Sequence, residues 1–166
     1  MKINIIVATD LNGVISVNGT IPWHLPEDLK RFRDLTENNC VVMGRKTWES
    51  LPVKPLPWRV NFVVTSDVDS SSIKAIRAAS LKSVIEFCNA WGNKRDLFVI
   101  GGQEIYREAL SIADKVYWTV VKREIQINAD DEVRYFKKYA LGDFSGWDIE
   151  TQESQRCDFL TLNRKK

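Results

Sequence analysis

The chain has 166 residues, 44% of them hydrophobic and 28% charged, the balance of an ordinary globular protein. That length suits one domain, residues 1–166, able to bury roughly 70% of its unfolded surface, and a net charge of +2 gives no strongly basic face for nucleic acid. One histidine, His24, and three widely spaced cysteines, Cys40, Cys88 and Cys157, exclude a disulfide framework and leave almost no material for a zinc site or a histidine-based triad.

Residues 3–8 form a continuous apolar run and are predicted as a buried strand, followed by a Gly/Asn-rich loop over 10–20. That first run is too short for a secretion signal, and no stretch approaches the length of a membrane span. With reduced, buried thiols, the expected address is the cytoplasm. A helix is predicted from Pro26 to about Glu37. Pro26 suits the first helical position, and Glu27 and Asp28 suit the first turn, where free N–H groups favour anions. Leu25, Leu29 and Phe32 recur at i, i+4 and i+7 as an apolar stripe with Asp28 on its edge, while Glu27, Lys30 and Arg31 are expected to point elsewhere. One carboxylate among large apolar side chains, beside Trp23, is poor chemistry for a surface and good chemistry for a cleft. The plainer alternative is a first-turn aspartate that only stabilises its helix.

A strand at 40–43 and a helix over 44–50 follow, then a strand at 60–64 and a turn-like, Ser/Asp-rich stretch over 66–72. Ser80 is placed to cap a helix running to about Trp91. A core strand at 97–100, a helix at 103–110 and a β-branched, aromatic strand at 115–121 come next. Residues 147–151 and 156–162 alternate around a polar turn, as an antiparallel hairpin does. The expected fold is α/β: a mostly parallel central sheet with an antiparallel C-terminal strand pair, flanked by about four helices. Continuous apolar strands early and alternating strands late carry that expectation.

Two strand–helix junctions have the chemistry of phosphate sites. At residues 99–106, Gly101 and Gly102 let a ligand approach the backbone just before a helix start that includes Gln103, although paired glycines by themselves often make only a tight turn. At residues 42–48, Gly44 is followed by Arg45, Lys46 and Thr47, two cations and a hydroxyl donor. Thr65 and Ser66 add hydroxyls at the end of the next apolar strand. Open α/β sheets place ligands beyond the carboxyl ends of their strands, where all three groups fall. From Lys30 to Arg59 there are seven Lys/Arg against three Asp/Glu, a local bias that suits an anionic ligand or, more simply, a solvated face. A phosphorylated dinucleotide fits these features, without a G-x-G-x-x-G motif.

At this point the residues resemble a known family along nearly the whole chain. Pro22-Trp23-x-Leu25-Pro26-x-Asp28-Leu29, Met43-Gly44-Arg45-Lys46-Thr47-Trp48-Glu49-Ser50, Leu56-Pro57-x-Arg59, Ile100-Gly101-Gly102-x-x-Ile105-Tyr106 and Thr119 are similar to the motifs of dihydrofolate reductase. The resemblance implies NADPH-dependent reduction of 7,8-dihydrofolate to tetrahydrofolate, with hydride passing to pterin C6 and a proton reaching N5 through water. It makes Asp28 the orienting anion for the pterin 2-amino group and N3, with Trp23 and Thr119 holding water nearby. Burial is expected to raise the Asp28 pKa more than the helix dipole lowers it.

Other roles come with the same resemblance. Ile6 and Ile100 would offer backbone carbonyls to the pterin, with Tyr106 close by. Leu29, Phe32, Leu51 and Leu56 would wall the p-aminobenzoyl ring, and Arg59 would pair with the glutamate α-carboxylate. Ala8 and Ile15 would meet the nicotinamide carboxamide. Gly101, Gly102 (a cis peptide in many members) and Thr47 would hold the pyrophosphate, with Gly44, Lys46 and Gln103 in the same cofactor set. Arg45, Thr65 and Ser66 would read the 2′-phosphate. The expected partners are dihydrofolate and NADPH, with no nucleic acid, no membrane and a monomeric state. Ser16, Trp58 and Glu104 depart from the family pattern, and Asp130 is the nearest match to the aspartate that supports the active-site loop. Rival readings are the pyrimidine reductase of riboflavin synthesis, on the same fold, and a non-enzymatic nucleotide-binding module. His24 reads as a variable loop residue, and Trp48, Trp91, Trp118 and Trp147 as packing residues.

Overall fold

The computed structural model describes residues 1–67, 73–92, 94–136 and 144–166. Their elements, in chain order, are β1 (Ile3–Thr9), β2 (Val14–Val17), α1 (Pro26–Thr36), β3 (Cys40–Gly44), α2 (Arg45–Ser50), β4 (Val60–Val64), β5 (Ile76–Ala78), α3 (Leu81–Ala90), β6 (Leu97–Val99), α4 (Gln103–Leu110), β7 (Lys115–Val121), β8 (Val133–Tyr135), β9 (Trp147–Glu153) and β10 (Cys157–Arg164). Eight strands form one sheet in the order β5-β4-β3-β6-β1-β7-β10-β9. Only β10 runs against its neighbours, pairing antiparallel with both β7 and β9; the other pairs are parallel. This is the expected architecture, with its antiparallel C-terminal pair.

Strand periodicity sorts the core into two layers. Ile5, Val7, Val42, Phe62 and Val99 face one way and pack with Leu81, Val84 and Cys88 of α3 and Ile105 and Ala109 of α4. Ile6, Val41, Met43, Val63 and Phe98 face the other way, towards Phe32 and Leu35 of α1 and Trp48 of α2. A strand that serves both layers has no polar side to show, which is why these runs read as continuously apolar. The three cysteines are buried, and burial beside Cys40 pushes the Cys88 thiol up to about 12.

Helix positions follow the local signals. Ser80 caps α3, its Oγ accepting from the Ser83 backbone N–H at 3.1 Å. Three short strands were not expected. β2 lies inside the predicted 10–20 loop and pairs with β8 in a separate two-stranded sheet, and β5 adds the outer strand beside β4. The sequence signal fails there because VISV, IRA and VRY are short and partly exposed, so pairing partners rather than a hydrophobic pattern make them strands. Residues 68–72 of the Ser/Asp-rich stretch lie outside the described residues.

Because β1, β3, β4 and β6 are adjacent and parallel, their carboxyl ends line one edge of the sheet. Asp10, Gly44, Thr65 and the Gly101-Gly102 pair therefore gather along that edge, a direct consequence of chain direction.

Candidate active site

Asp28 sits in the first turn of α1, where its backbone N–H donates to the Leu25 carbonyl at 3.1 Å. Its carboxyl is half-buried, and burial raises its pKa above the ordinary carboxylate value. A hydrogen bond from the Thr119 hydroxyl and the charge of Arg31 oppose that rise, while Glu27 adds to it. Thr119 lies on β7, 2% exposed, opposite Ala8 of β1. The buried stripe of α1 differs from expectation. Phe32, Leu35 and the buried Thr36 face the sheet, whereas Leu29 is 51% exposed, 100° round the helix from Asp28. Arg31, expected to point away, turns towards the sheet. It stands three residues from Asp28, on the same side of the helix, and its long stem covers apolar surface there.

Several of the predicted residues pack together on one layer of the sheet. The buried Tyr106 hydroxyl donates to the Ile6 carbonyl at 2.9 Å, so α4 is stitched to β1 at the residue expected to face a ring ligand. Phe32, Leu51, Leu56 and Ile100 pack on the same layer as Ile6. Trp23 packs with Leu25, Val121, Cys157 and Phe159, at the side of β7 and β10. His24 shares a surface pocket of about 300 Å³ with Trp23, Lys122, Arg123 and Arg156, and Asp28 is not among its lining residues.

Arg59 is held over the Phe32 ring, 5.6 Å from its centre, by bonds to Thr36 Oγ1 at 2.8 Å and the Pro57 carbonyl at 2.9 Å. Trp58 adopts φ +59°, the conformation a glycine takes freely, with its indole 76% exposed and its carbonyl accepting from the Asn38 N–H at 2.8 Å. The turn forms with tryptophan at this position, and Arg59 follows it onto the Phe32 ring.

The two glycine junctions come together as one cradle. The Gly44 N–H donates to the Gly101 carbonyl at 2.8 Å, and the Gly101-Gly102 peptide is cis. A Cβ on Gly101, whose φ is +124°, would come within 3.4 Å of Thr47 Oγ1, and one on Gly102 within 3.3 Å of the same atom. Side chains here would fill the space that the glycines leave beside Thr47. Gly102 also begins α4 with no side-chain cap, so the first N–H groups of that helix have no side chain to satisfy them. The Gln103 side-chain oxygen is engaged, accepting from the Tyr135 N–H at 2.9 Å, which leaves the amide NH2 and the backbone N–H as the donors for a ligand.

Around the cradle the cations have carboxylate partners. Arg45 pairs with Glu49 at 2.8 Å and Asp67 at 3.6 Å, while the exposed Lys46 pairs with Glu132 at 3.6 Å. Thr65 is buried and its Oγ1 accepts from the Asp67 N–H at 3.1 Å, whereas Ser66 is exposed. Glu104 turns to Arg107, away from the cradle.

Ala8 and Ile15 stand on β1 and β2, either side of a turn that the buried Asp10 organises. Asp10 accepts from the N–H groups of Asn12, Val14 and Ile125, at 2.9, 2.8 and 2.9 Å. Further along, Asn18 exchanges backbone and side-chain bonds with Glu132, both 2.8 Å, and its amide donates to Asp131 at 2.7 Å. The carboxylate that bonds Asn18 of this loop is that of Asp131, the neighbour of Asp130. The partners lie 113 residues apart, a pairing no local signal announces. Arg31, Asp67 and Asp10 were missed as well. Helical spacing from Asp28 could have found Arg31, and the spacing Asp-x-x-x-Val after a strand could have marked Asp10 as a turn-former.

Among the described residues, no helix is long and apolar enough to cross a membrane, and no group of three His, Cys, Asp or Glu is arranged to hold a metal ion.

Comparison with known proteins agrees with this geometry. The family model described as dihydrofolate reductase matches residues 2–164. The chain is 36% identical over 156 residues to the dihydrofolate reductase of Bacillus subtilis, covering 94% of this chain and 86% of that one. It is 35% identical over 173 residues to that of Haemophilus influenzae, covering 99% and 100%. Among solved structures, dihydrofolate reductase from Enterococcus faecalis complexed with NADP(H) and RAB-propyl superposes with a TM-score of 0.81 at 27% identity, covering 99% of this chain and 97% of that one.

Proposed function

The chain belongs to the dihydrofolate reductase family, an NADPH-dependent oxidoreductase acting on 7,8-dihydrofolate, and from that premise we propose that Asp28 is the anion that orients the pterin. Its half-burial against Thr119 and Arg31, on the layer lined by Ile6, Phe32 and Ile100, is the observation that carries the reading. An ionised carboxylate accepts two parallel hydrogen bonds, from the pterin 2-amino group and N3, each worth about 1.5–3 kcal/mol when charge-assisted. Thr119 fixes the carboxylate by donating to it. Trp23 closes the side of the site and positions the water that delivers a proton to N5. Asp28 itself does not pass the proton on.

The remaining residues bind and exclude. Ile6, already holding the Tyr106 hydroxyl, and Ile100 present carbonyls to the pterin, and Tyr106 keeps the Ile6 strand in place. Phe32, Leu51 and Leu56 wall the p-aminobenzoyl ring, and the exposed Leu29 covers it from the open side. Arg59 meets the α-carboxylate of the glutamate tail, preset by Thr36 and Phe32.

The residues present fit NADPH. The glycine-walled space beside Thr47 and the uncapped start of α4 suit a pyrophosphate, held by Gly44, Thr47, Gly101, Gly102 and the Gln103 backbone, with Lys46 at its rim. Ala8 and Ile15 supply backbone groups to the carboxamide. Arg45, Thr65 and Ser66 surround the 2′-phosphate, which competes with Asp67 for Arg45. When bound, NADPH supplies hydride from nicotinamide C4 to pterin C6. The enzyme acts as a single domain over 1–166, as a cytoplasmic monomer. The test is NADPH oxidation by purified protein: it is expected only when dihydrofolate is added, and dihydrofolate-independent oxidation, or none, would overturn the reading.

A further inference from the structure

We propose that Arg31 is a positioning residue of this active site, a half-buried cation that orients the Thr119 hydroxyl and supplies the positive charge facing the Asp28 carboxylate. Its functional consequence rests on the reading of Asp28 as the pterin anchor. The guanidinium is not a loose surface cation. One Nη nitrogen donates to the Leu160 carbonyl at 3.1 Å and the Thr161 hydroxyl at 3.3 Å, both on β10, and the other reaches Thr119 Oγ1 on β7 at 3.4 Å. The group also lies 4.9 Å from the centre of the Phe159 ring and 5.7 Å from that of Tyr117. Two strands and two aromatic faces hold the charge where it is.

Among the described residues no carboxylate stands within ion-pair distance of Arg31, and the strongest charge acting on it is that of Asp28. A hydroxyl has one proton. Accepting from Arg31, Thr119 points that proton at Asp28, so the donors run Arg31 to Thr119 to Asp28, each aligned to favour the anion. The groups that face Asp28 are Glu27 and Arg31 of its own helix, Tyr106 of α4 and Cys157 of β10. Glu27 is an anion already paired with Arg156. Tyr106 and Cys157 have raised pKa values and are neutral at pH 7. Arg31 is the one cation of this set. Burial alone drives Asp28 towards its neutral acid, which accepts poorly from a 2-amino group. Arg31 holds that drive in check and keeps the anchor ionised to lower pH.

The test is a ¹³C NMR titration of the Asp28 carboxyl in the ligand-free protein, its signal assigned by loss in Asp28→Asn. Native protein is compared with Arg31→Met, Arg31→Gln and Arg31→Lys, with folate binding followed over the same pH range. Both neutral variants are expected to move the midpoint to higher pH and to move the acid-side loss of folate binding with it, while Arg31→Lys restores both towards native. An unmoved midpoint in either neutral variant, folded by a cooperative melt, overturns the proposal and leaves the anchor role of Asp28 standing. A midpoint that moves while the acid limb of folate binding stays fixed upholds the action of Arg31 on the carboxylate, and it contradicts the anchor reading instead.

Discussion

Asp28 binds its proton more readily in the folded chain than in the unfolded one, because burial outweighs the Thr119 bond and the Arg31 charge. The sign of the linkage follows. The stability that such a group contributes is complete below its unfolded pKa and is lost as pH rises through the folded one. At neutral pH Asp28 is therefore a cost to the fold, retained for its charge. Asp28→Asn is expected to raise Tm at pH 7, and the gain should shrink as the buffer is taken below the ordinary carboxylate range. A melting series against pH measures this, and a gain that grows on acidification would contradict it. Asp67 poses a smaller conflict at the other end of the site. Its carboxylate occupies Arg45 at 3.6 Å, where a phosphate is expected to bind. Asp67→Asn should tighten NADPH roughly two- to fivefold, the scale of one exposed charge pair, without changing KM for dihydrofolate. Fluorescence titration with NADPH reads the effect, and weaker binding would show that Asp67 helps rather than competes.

At the scale of elements, the segment from Leu51 to Arg59 shows how a local strain is tolerated. Trp58 holds a left-handed backbone without the freedom of glycine, and its side chain is three-quarters exposed, so the ring returns little by packing. Trp58→Gly should stabilise the protein by up to about 1 kcal/mol in urea unfolding, the order of the left-handed penalty less the entropy glycine gains when unfolded. A clear loss would mean that the indole packs on something that matters. The same elements mark what could be read from sequence. The long parallel strands, the Pro26 helix start and the Ser80 cap were legible because each is written in neighbouring residues. The strands β2, β5 and β8 were not, since three or four half-exposed residues become a strand only when a distant partner is present. The candidate site divides the same way. Asp28 and the glycine junctions announce themselves locally, whereas Asp131 is defined by Asn18 and Arg31 by the rings of β7 and β10. Arg31 differs from expectation for a further reason: its charge takes it off the apolar stripe in the sequence pattern, although its long stem covers apolar surface as a core side chain does.

For the whole molecule, chain direction does much of the work. Parallel strands β1, β3, β4 and β6 deliver Asp10, Gly44, Thr65 and Gly101 to one edge, and α1 lies over the layer beside it. The local excess of cations between Lys30 and Arg59 is divided by this arrangement. Lys30 is an exposed partner of Asp34, while Arg31 stands at Thr119, Arg45 at Asp67 and Arg59 at Thr36. In the function proposed above, the cofactor is placed by strand ends and α4, and the pterin is anchored from α1. Removing the anchor should disable one and spare the other. Asp28→Asn, assayed by NADPH oxidation at pH 7, is expected to lower kcat/KM for dihydrofolate on the order of 10²–10⁴, about 3–5 kcal/mol, while NADPH affinity stays at its native value. Near-native turnover by that variant would contradict the account.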